Sequence, residues 1–324
     1  MTLKNSISPC STLTEKIEWL QERYWRFGRE DRFLDLLTDI FTVDDCGEIT
    51  PTPVRDPLIN ETMGIMLLAG SGNGKSALLN RTLEKVLTLT IYDKDTYLGN
   101  TLQITVPPAA TIKSLAEEIA LLTGYEDMDP KIKIDAAWKI ARHRMQKFGI
   151  KLLIIDEAHH LLRPGPGRDV PGALQTLKHF LQGDTAVAVI LSGVEKLRES
   201  KLHDPETDGR YLKFDLRPIQ AGSIDAERLS KCIEKSAEEL GLTLDPNSNF
   251  MERVLFAEHG KVGRSIRLAK NTMRRALIKD RKSVDLQDAE VCFGKYFGTR
   301  QISPFSPGPW SIVKSELEDA GWAQ

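Results

Sequence analysis

The segment Ala69-Gly70-Ser71-Gly72-Asn73-Gly74-Lys75-Ser76 limits what this chain can fold into more than any other stretch. It follows a short apolar run, MGIMLLAG, and precedes a stretch from Lys75 to about Leu87 with helical periodicity. Glycines so placed let backbone N–H groups turn inward around a phosphate, and the helix that follows adds the positive end of its dipole. A buried strand, a glycine turn and a helix in that order open an α/β fold with a parallel sheet. Gly70, Ser71, Gly72, Asn73, Gly74, Lys75, Ser76 and Ala77 are therefore the nucleotide-binding candidates, with Lys75 reaching the β- and γ-phosphates and Ser76 ligating Mg²⁺. Ala69 stands where a first glycine is usual, at the strand end.

The same alternation continues downstream. TLQITVP (101–107), KLLIID (151–156), AVAVILSG (186–193) and YLKFDLRP (211–218) read as further strands. Helical stretches near 111–123, 131–147 and 171–182 separate them, which implies a parallel sheet covered on both faces. After Gln220 only helices are expected, over 223–240, 246–258, 262–281 and 285–297, with Ser223, Asp245-Pro246 and Asp285 as start signals. Upstream, residues 14–41 read as two helices whose Trp19 and Trp25 pack on the main domain, with a partner-docking helix as the alternative, and TPTPVRDP (50–57) as a break in regular structure. The division expected is a helical extension (1–50), an α/β core (51–220), a helical lid (221–300) and an extended tail (301–324).

The third strand carries the second chemical signal, KLLIIDEAHH. An apolar strand ending in an acid places Asp156 where a Mg²⁺ ion opposite the phosphate loop needs a carboxylate, and Glu157 is the candidate base that orients water. Neighbouring helical residues point apart, so His159 and His160 are not expected to share one metal ion. Ser192, closing the fourth strand, is a candidate sensor of the terminal phosphate. Arg210, in the polar loop before the fifth strand, is the candidate arginine finger, with Arg198 and Arg217 as rivals. Arg264, in HGKVGRSIRLA, sits where it can report nucleotide to the helical segment.

Composition narrows the partners. Forty-four Lys and Arg against forty-six Asp and Glu give a net charge of −2, so any nucleic-acid contact is local or shared among subunits. No apolar run approaches the roughly 18 residues of a membrane span. The N-terminus has no apolar signal region, and four scattered cysteines without a CxxC pair suggest reduced thiols in a cytoplasm.

The phrases MLLAGSGNGKSALLN, LLIIDEAHHLL, VAVILSGVEKL, DGRYLKFDLRPI and HGKVGRSIRLA together resemble the AAA+ ATPases, and among them the TnsC/TniB type of DNA-transposition regulator. The resemblance covers about residues 50–290. It implies a five-stranded parallel sheet in the order 5-1-4-3-2 with a C-terminal helical lid, and ATP hydrolysis with Mg²⁺ at subunit interfaces. It also implies a ring or filament around duplex DNA in the bacterial cytoplasm, a transposase partner, and a target-selection partner of TniQ type, in some elements with a CRISPR effector. The family's DNA contacts fall on Thr111 and Lys113, and Pro304, Phe305 and Trp310 of the tail are expected to anchor the transposase. A helicase, suggested by DEAH at 156–159, needs a second RecA-like domain that the helical end does not offer. A helicase loader and a STAND-like signalling switch remain as alternatives.

Overall fold

The computed structural model describes residues 7–8, 11–162, 170–194, 208–298 and 301–322. The chain divides into two compact units. One comprises Arg29–Ser71 and Lys75–Leu216; the other comprises Met1–Gly28, Gly72–Gly74 and Arg217–Gln324.

The first unit is a three-layer α/β body. Its sheet contains β3 (Gly64–Leu68), β4 (Thr101–Thr105), β5 (Leu152–Asp156), β6 (Ala188–Gly193) and β7 (Tyr211–Asp215), all parallel, in the order β4-β5-β6-β3-β7. Counted within the sheet and read from the β7 edge, this is the expected 5-1-4-3-2. Every residue of β3, β5 and β6 is buried, so these strands read as unbroken apolar runs rather than as alternating ones. Alternate side chains serve different layers. Met66, Leu153, Ile155, Val189 and Leu191 pack with α4 (Ile112–Leu122), α5 (Ile134–Lys147) and α6 (Val170–His179). Ile65, Leu67, Leu152, Ile154 and Ile190 pack with α2 (Arg29–Ile40) and α3 (Lys75–Leu83). Each such fully buried side chain contributes about 1.5–3 kcal/mol relative to exposure.

The proline stretch does not break regular structure as expected. Ile49–Pro53 forms β2, paired antiparallel with β1 (Phe41–Val43) in a separate two-stranded sheet. Pro51 and Pro53 lack an N–H to donate, and a two-stranded ribbon, all edge, is where such residues are tolerated.

The second unit is mainly helical: α7 (Ile224–Glu239), α8 (Phe250–Ala257), α9 (Val262–Ile278), α10 (Leu286–Phe297) and α11 (Trp310–Asp319). Ser223 accepts the N–H of Ala226 and Asp285 that of Asp288, so both start signals act as side-chain caps. Against the expectation of helices alone, Thr243–Leu244 and Ser283–Val284 pair as short parallel strands β8 and β9. The N-terminal helix α1 (Leu13–Glu22) belongs here: Trp19, Leu20 and Trp25 join its core, and Trp25 Nε1 donates to Ser236 Oγ at 3.0 Å.

The tail is folded, not extended. Arg253, 1% exposed, donates to the carbonyls of Pro304 (2.8 Å), Ser306 (3.0 Å) and Gly308 (2.6 Å), and Phe305 is 2% exposed. Trp310 packs edge-on to Phe256 with the Arg253 guanidinium 5.1 Å from its ring centre. Its apolar residues close the chain's own core, which corrects their reading as free partner anchors; the SPFSPGP composition hid a buried arginine fifty residues upstream that supplies the turn's hydrogen bonds. Among the described residues no helix is long and apolar enough to cross a membrane.

Candidate nucleotide site

The carboxyl ends of β3, β5 and β6 gather the predicted polar residues of the α/β unit. Leaving β3, Ala69 donates its N–H to Gly193 O at 3.0 Å, which ties the start of the loop to the end of β6. Lys75, at the head of α3, is only 8% exposed, and its Nζ donates to Ala69 O at 3.3 Å, curling the ammonium back over the loop. Ser76 Oγ donates to Asp156 Oδ2 at 3.3 Å, although the residues lie eighty positions apart. A hydroxyl and a carboxylate side by side are hard oxygen donors of the kind Mg²⁺ takes.

Glu157 enters its turn from the left-handed region, φ +54°, and its N–H caps Asp156 Oδ1 at 2.8 Å. That backbone state is uncommon for a residue with a side chain and costs on the order of 1–3 kcal/mol. It also begins a three-residue 3₁₀ turn, Ala158–His160, rather than an α-helix. In this turn His159 and His160 do not point apart: their ring centres are 4.1 Å apart, and ligand atoms of Glu157, His159 and His160 lie within 4.8 Å of one another. The helical premise that separated the two histidines is therefore wrong. His159 Nδ1 sits 3.2 Å from Glu157 Oε2, which brings the imidazole and the acid together beside the strand end.

Ser192 is fully buried in β6, and its Oγ has no hydrogen-bond partner among the described residues. A buried hydroxyl left so costs about 1–3 kcal/mol. An orphaned donor at the strand ends, beside the Ser76–Asp156 pair, fits a site that receives phosphate oxygens and a magnesium ion.

Within the second unit, the backbone N–H of Arg264 donates to Gly72 O at 3.2 Å. A β-carbon on Gly263 would stand 2.7 Å from that same oxygen, and one on Gly72, at φ +86°, would stand 2.8 Å from the Arg264 side chain. Two glycines are needed here because helix and loop backbones touch. Beside Arg264, Glu258 is 2% exposed; burial pushes its carboxyl above the usual range, opposed by Arg264, Arg267 and Lys261. Glu258 was not singled out from the sequence, where an acid before HGKVGR looks like any helix-end acid.

Other expected residues have different surroundings. Arg210 Nε and Nη2 grip Glu61 at 2.7 and 3.1 Å, and this fork holds the Glu61 carboxyl below its ordinary range. Arg210 O accepts the N–H of Gly64, which puts it at the amino end of β3, the opposite end of the sheet from the phosphate loop. Thr111 caps α4 by accepting the Ser114 N–H, while Lys113 Nζ donates to Pro130 O at 2.6 Å and lies 3.5 Å from Glu117. Arg198 lies outside the described residues.

Comparison with known proteins agrees with this fold. A family model described as an AAA domain matches residues 59–200. The chain is similar in structure to the Orc1 protein of Aeropyrum pernix in complex with DNA, at TM-score 0.58 and 16% identity over 86% of this chain and 67% of that one. It is also similar to Cdc6p from Pyrobaculum aerophilum, at TM-score 0.52 and 13% identity over 96% and 87% of the two chains. The ORC2 protein of Aeropyrum pernix, in ADPNP-ADP complexes, gives TM-score 0.50 and 15% identity over 90% and 70%. No curated protein is a significant match. Residues 59–200 of this chain thus match an AAA-type P-loop domain, whose described part carries β3, β4, β5 and β6 of the five-stranded parallel sheet and is followed by β7 and a helical C-terminal region.

Proposed function

We propose that the protein hydrolyses ATP as a switch, assembles with copies of itself on duplex DNA, and regulates DNA transposition in the TnsC/TniB manner. The observation that carries the ATPase part is the Ser76–Asp156 pair beside the curled Lys75 and the orphaned Ser192. In this reading, backbone N–H groups of residues 70–76 and the Lys75 ammonium hold the phosphates. Ser76 and Asp156 would hold Mg²⁺, whose charge would offset that developing on the phosphate oxygens. The Glu157 carboxylate takes up a proton from water directed at the terminal phosphorus, and Ser192 donates its hydroxyl to that phosphoryl group or to the water. Arg264, already against Gly72, reports occupancy to the helices that follow it.

A guanidinium supplied by a neighbouring copy completes such sites. Arg210 remains the candidate, and it must first leave Glu61. The choice of DNA as the surface of assembly is in keeping with the Orc1 protein of similar fold, which is seen in complex with DNA. The transposition reading rests on the sequence resemblance: a target-selection protein of TniQ type, with or without a CRISPR effector, would mark the site, and a transposase would receive it. This places the protein in the bacterial cytoplasm, on the nucleoid when bound to DNA. Thr111 and Lys113 serve the DNA contact only by giving up the bonds they make within the chain.

Electron microscopy of Glu157→Gln with Mg-ATP, with and without duplex DNA, tests the assembly. The reading expects persistent oligomers on DNA, and monomers under both conditions would reject it. Adding the cognate transposase tests the finer claim, since retained DNA assemblies that fail to bind it would favour a helicase loader.

A further inference from the structure

One feature of the helical unit is not explained by its packing. Residues 262–298 hold nine Lys and Arg against four Asp and Glu, in a chain whose net charge is −2. Part of this excess is used internally. Lys270 Nζ donates to the carbonyls of Gln21 and Arg23, Arg275 Nε donates to Asp288 at 2.9 Å, and Arg281 pairs with Asp285 and Asp288. The side chains of Arg274, Lys279 and Lys295 have no ion-pair or hydrogen-bond partner among the described residues. These three, reaching from α9 and α10, line one cavity of about 270 Å³ together with Asn271, Arg275 and Tyr296.

Cations near helix carboxyl ends complement the dipole, and that alone explains a lysine in a last turn. It does not explain why cations from two helices converge on one concavity, where they repel each other and where Asp288, already held by Arg275 and Arg281, is outnumbered. Such a concavity is relieved by an anion. A guanidinium fork, two point charges and an amide donor suit a phosphate better than a carboxylate alone. The neighbouring Tyr296 ring is 53% exposed with the Arg267 guanidinium 4.5 Å from its centre, giving an aromatic and cationic rim of the kind that sugars and bases meet. From Arg267 to the C-cap Lys279, α9 advances about 18 Å along its axis, which is about five nucleotides at a rise of about 3.4 Å per strand. A regular polyanion matches that stripe.

We propose that the α9–α10 groove binds phosphates of a nucleic-acid backbone and is a DNA contact separate from Thr111 and Lys113. The proposal rests on the DNA reading above. It also reconciles a slightly acidic chain with DNA binding, because the charge is concentrated where the polymer lies.

The test is the full chain carrying Arg274→Ala, Lys279→Ala and Lys295→Ala together, with Lys279→Glu as an independent single variant; alanine is the best helix former, so α9 and α10 persist. Anisotropy of a fluorescein-labelled duplex is followed over a salt series with a non-hydrolysable ATP analogue. Duplex affinity should fall at least roughly tenfold, with the slope of log K against log salt shallower by about 2–3, while affinity for a fluorescent ATP analogue stays at the wild-type value. A triple variant with wild-type affinity and slope overturns the groove and leaves the DNA reading standing. Wild-type protein that binds no duplex rejects both. A variant that keeps the duplex but loses a polyglutamate peptide held by wild type overturns the proposal in favour of an acidic protein partner.

Discussion

The two ends of the central sheet treat their polar groups differently. At the amino end Arg210, Glu61 and Gln182 satisfy one another at 2.6–3.1 Å, Tyr211 OH donates to Leu177 O at 3.2 Å, and Arg55 donates to carbonyls of Gly183 and Asp184. At the carboxyl end Lys75 has a single 3.3 Å bond to a loop carbonyl, Ser76 and Asp156 meet at 3.3 Å, and Ser192 Oγ has no partner among the described residues. Buried polar groups that satisfy each other hold a fold together; those left short hold capacity for a ligand. The same sheet therefore has a structural rim and, in the function proposed here, a reactive rim.

The largest effects should break the reactive rim without melting the protein. Lys75→Ala and Asp156→Asn are expected to lower ATP hydrolysis by more than roughly 100-fold, and Glu157→Gln by about 100- to 10,000-fold while ATP still binds. Steady-state phosphate release and equilibrium dialysis read the two quantities separately. At the other rim, Arg210→Ala should cost about 1–3 kcal/mol in urea unfolding because Glu61 loses its fork. Glu61→Gln separates the roles: if Arg210 also serves a neighbour, only Arg210→Ala lowers ATPase per folded molecule, and equal ATPase in both variants confines Arg210 to the structural rim. Since Arg210 holds the Glu61 carboxyl below its ordinary value, that contribution is present above about pH 4.5 and is lost as pH falls through the depressed value. Ser192→Ala sharpens the contrast further. Removing an unsatisfied hydroxyl should leave stability unchanged or raise it by about 1 kcal/mol, yet slow turnover roughly tenfold. The smallest effect concerns Glu258, whose carboxyl is raised by burial. Its neutral form is the favoured one in the fold, so stability falls as pH rises above about 4.5 through the raised value. Glu258→Gln should flatten that part of the thermal-melting profile, and an unchanged slope would remove the assignment.

Most of the fold was legible because one glycine turn fixed the strand before it and the helix after it. Unbroken apolar runs such as LLIID then had room only in a covered parallel sheet. The strand at Ile49–Pro53 was not legible, because prolines argue against strands except where no N–H is needed, and the two-stranded setting is a tertiary fact. The tail misled for a similar reason: Arg253 answers the carbonyls of Pro304, Ser306 and Gly308 from fifty residues away. Around the candidate site, spacing singled out Lys75, Ser76 and Asp156, and the structure brings Ser76 and Asp156 together. The Glu157–His159 contact did not, since it depends on a left-handed residue turning the chain into a 3₁₀ turn. The cations of the α9–α10 groove read singly as solvated helix residues and acquire meaning only when two helices bring them to one cavity.

Titration calorimetry of Mg-ATP into wild-type protein and Lys75→Ala, both shown folded by circular dichroism, tests the reactive rim most directly. The account predicts one ATP bound per chain in the wild type and no measurable heat in the variant. A folded wild type that takes up no ATP, or a variant that binds it as well, would contradict the claim that these strand ends are built to hold a triphosphate.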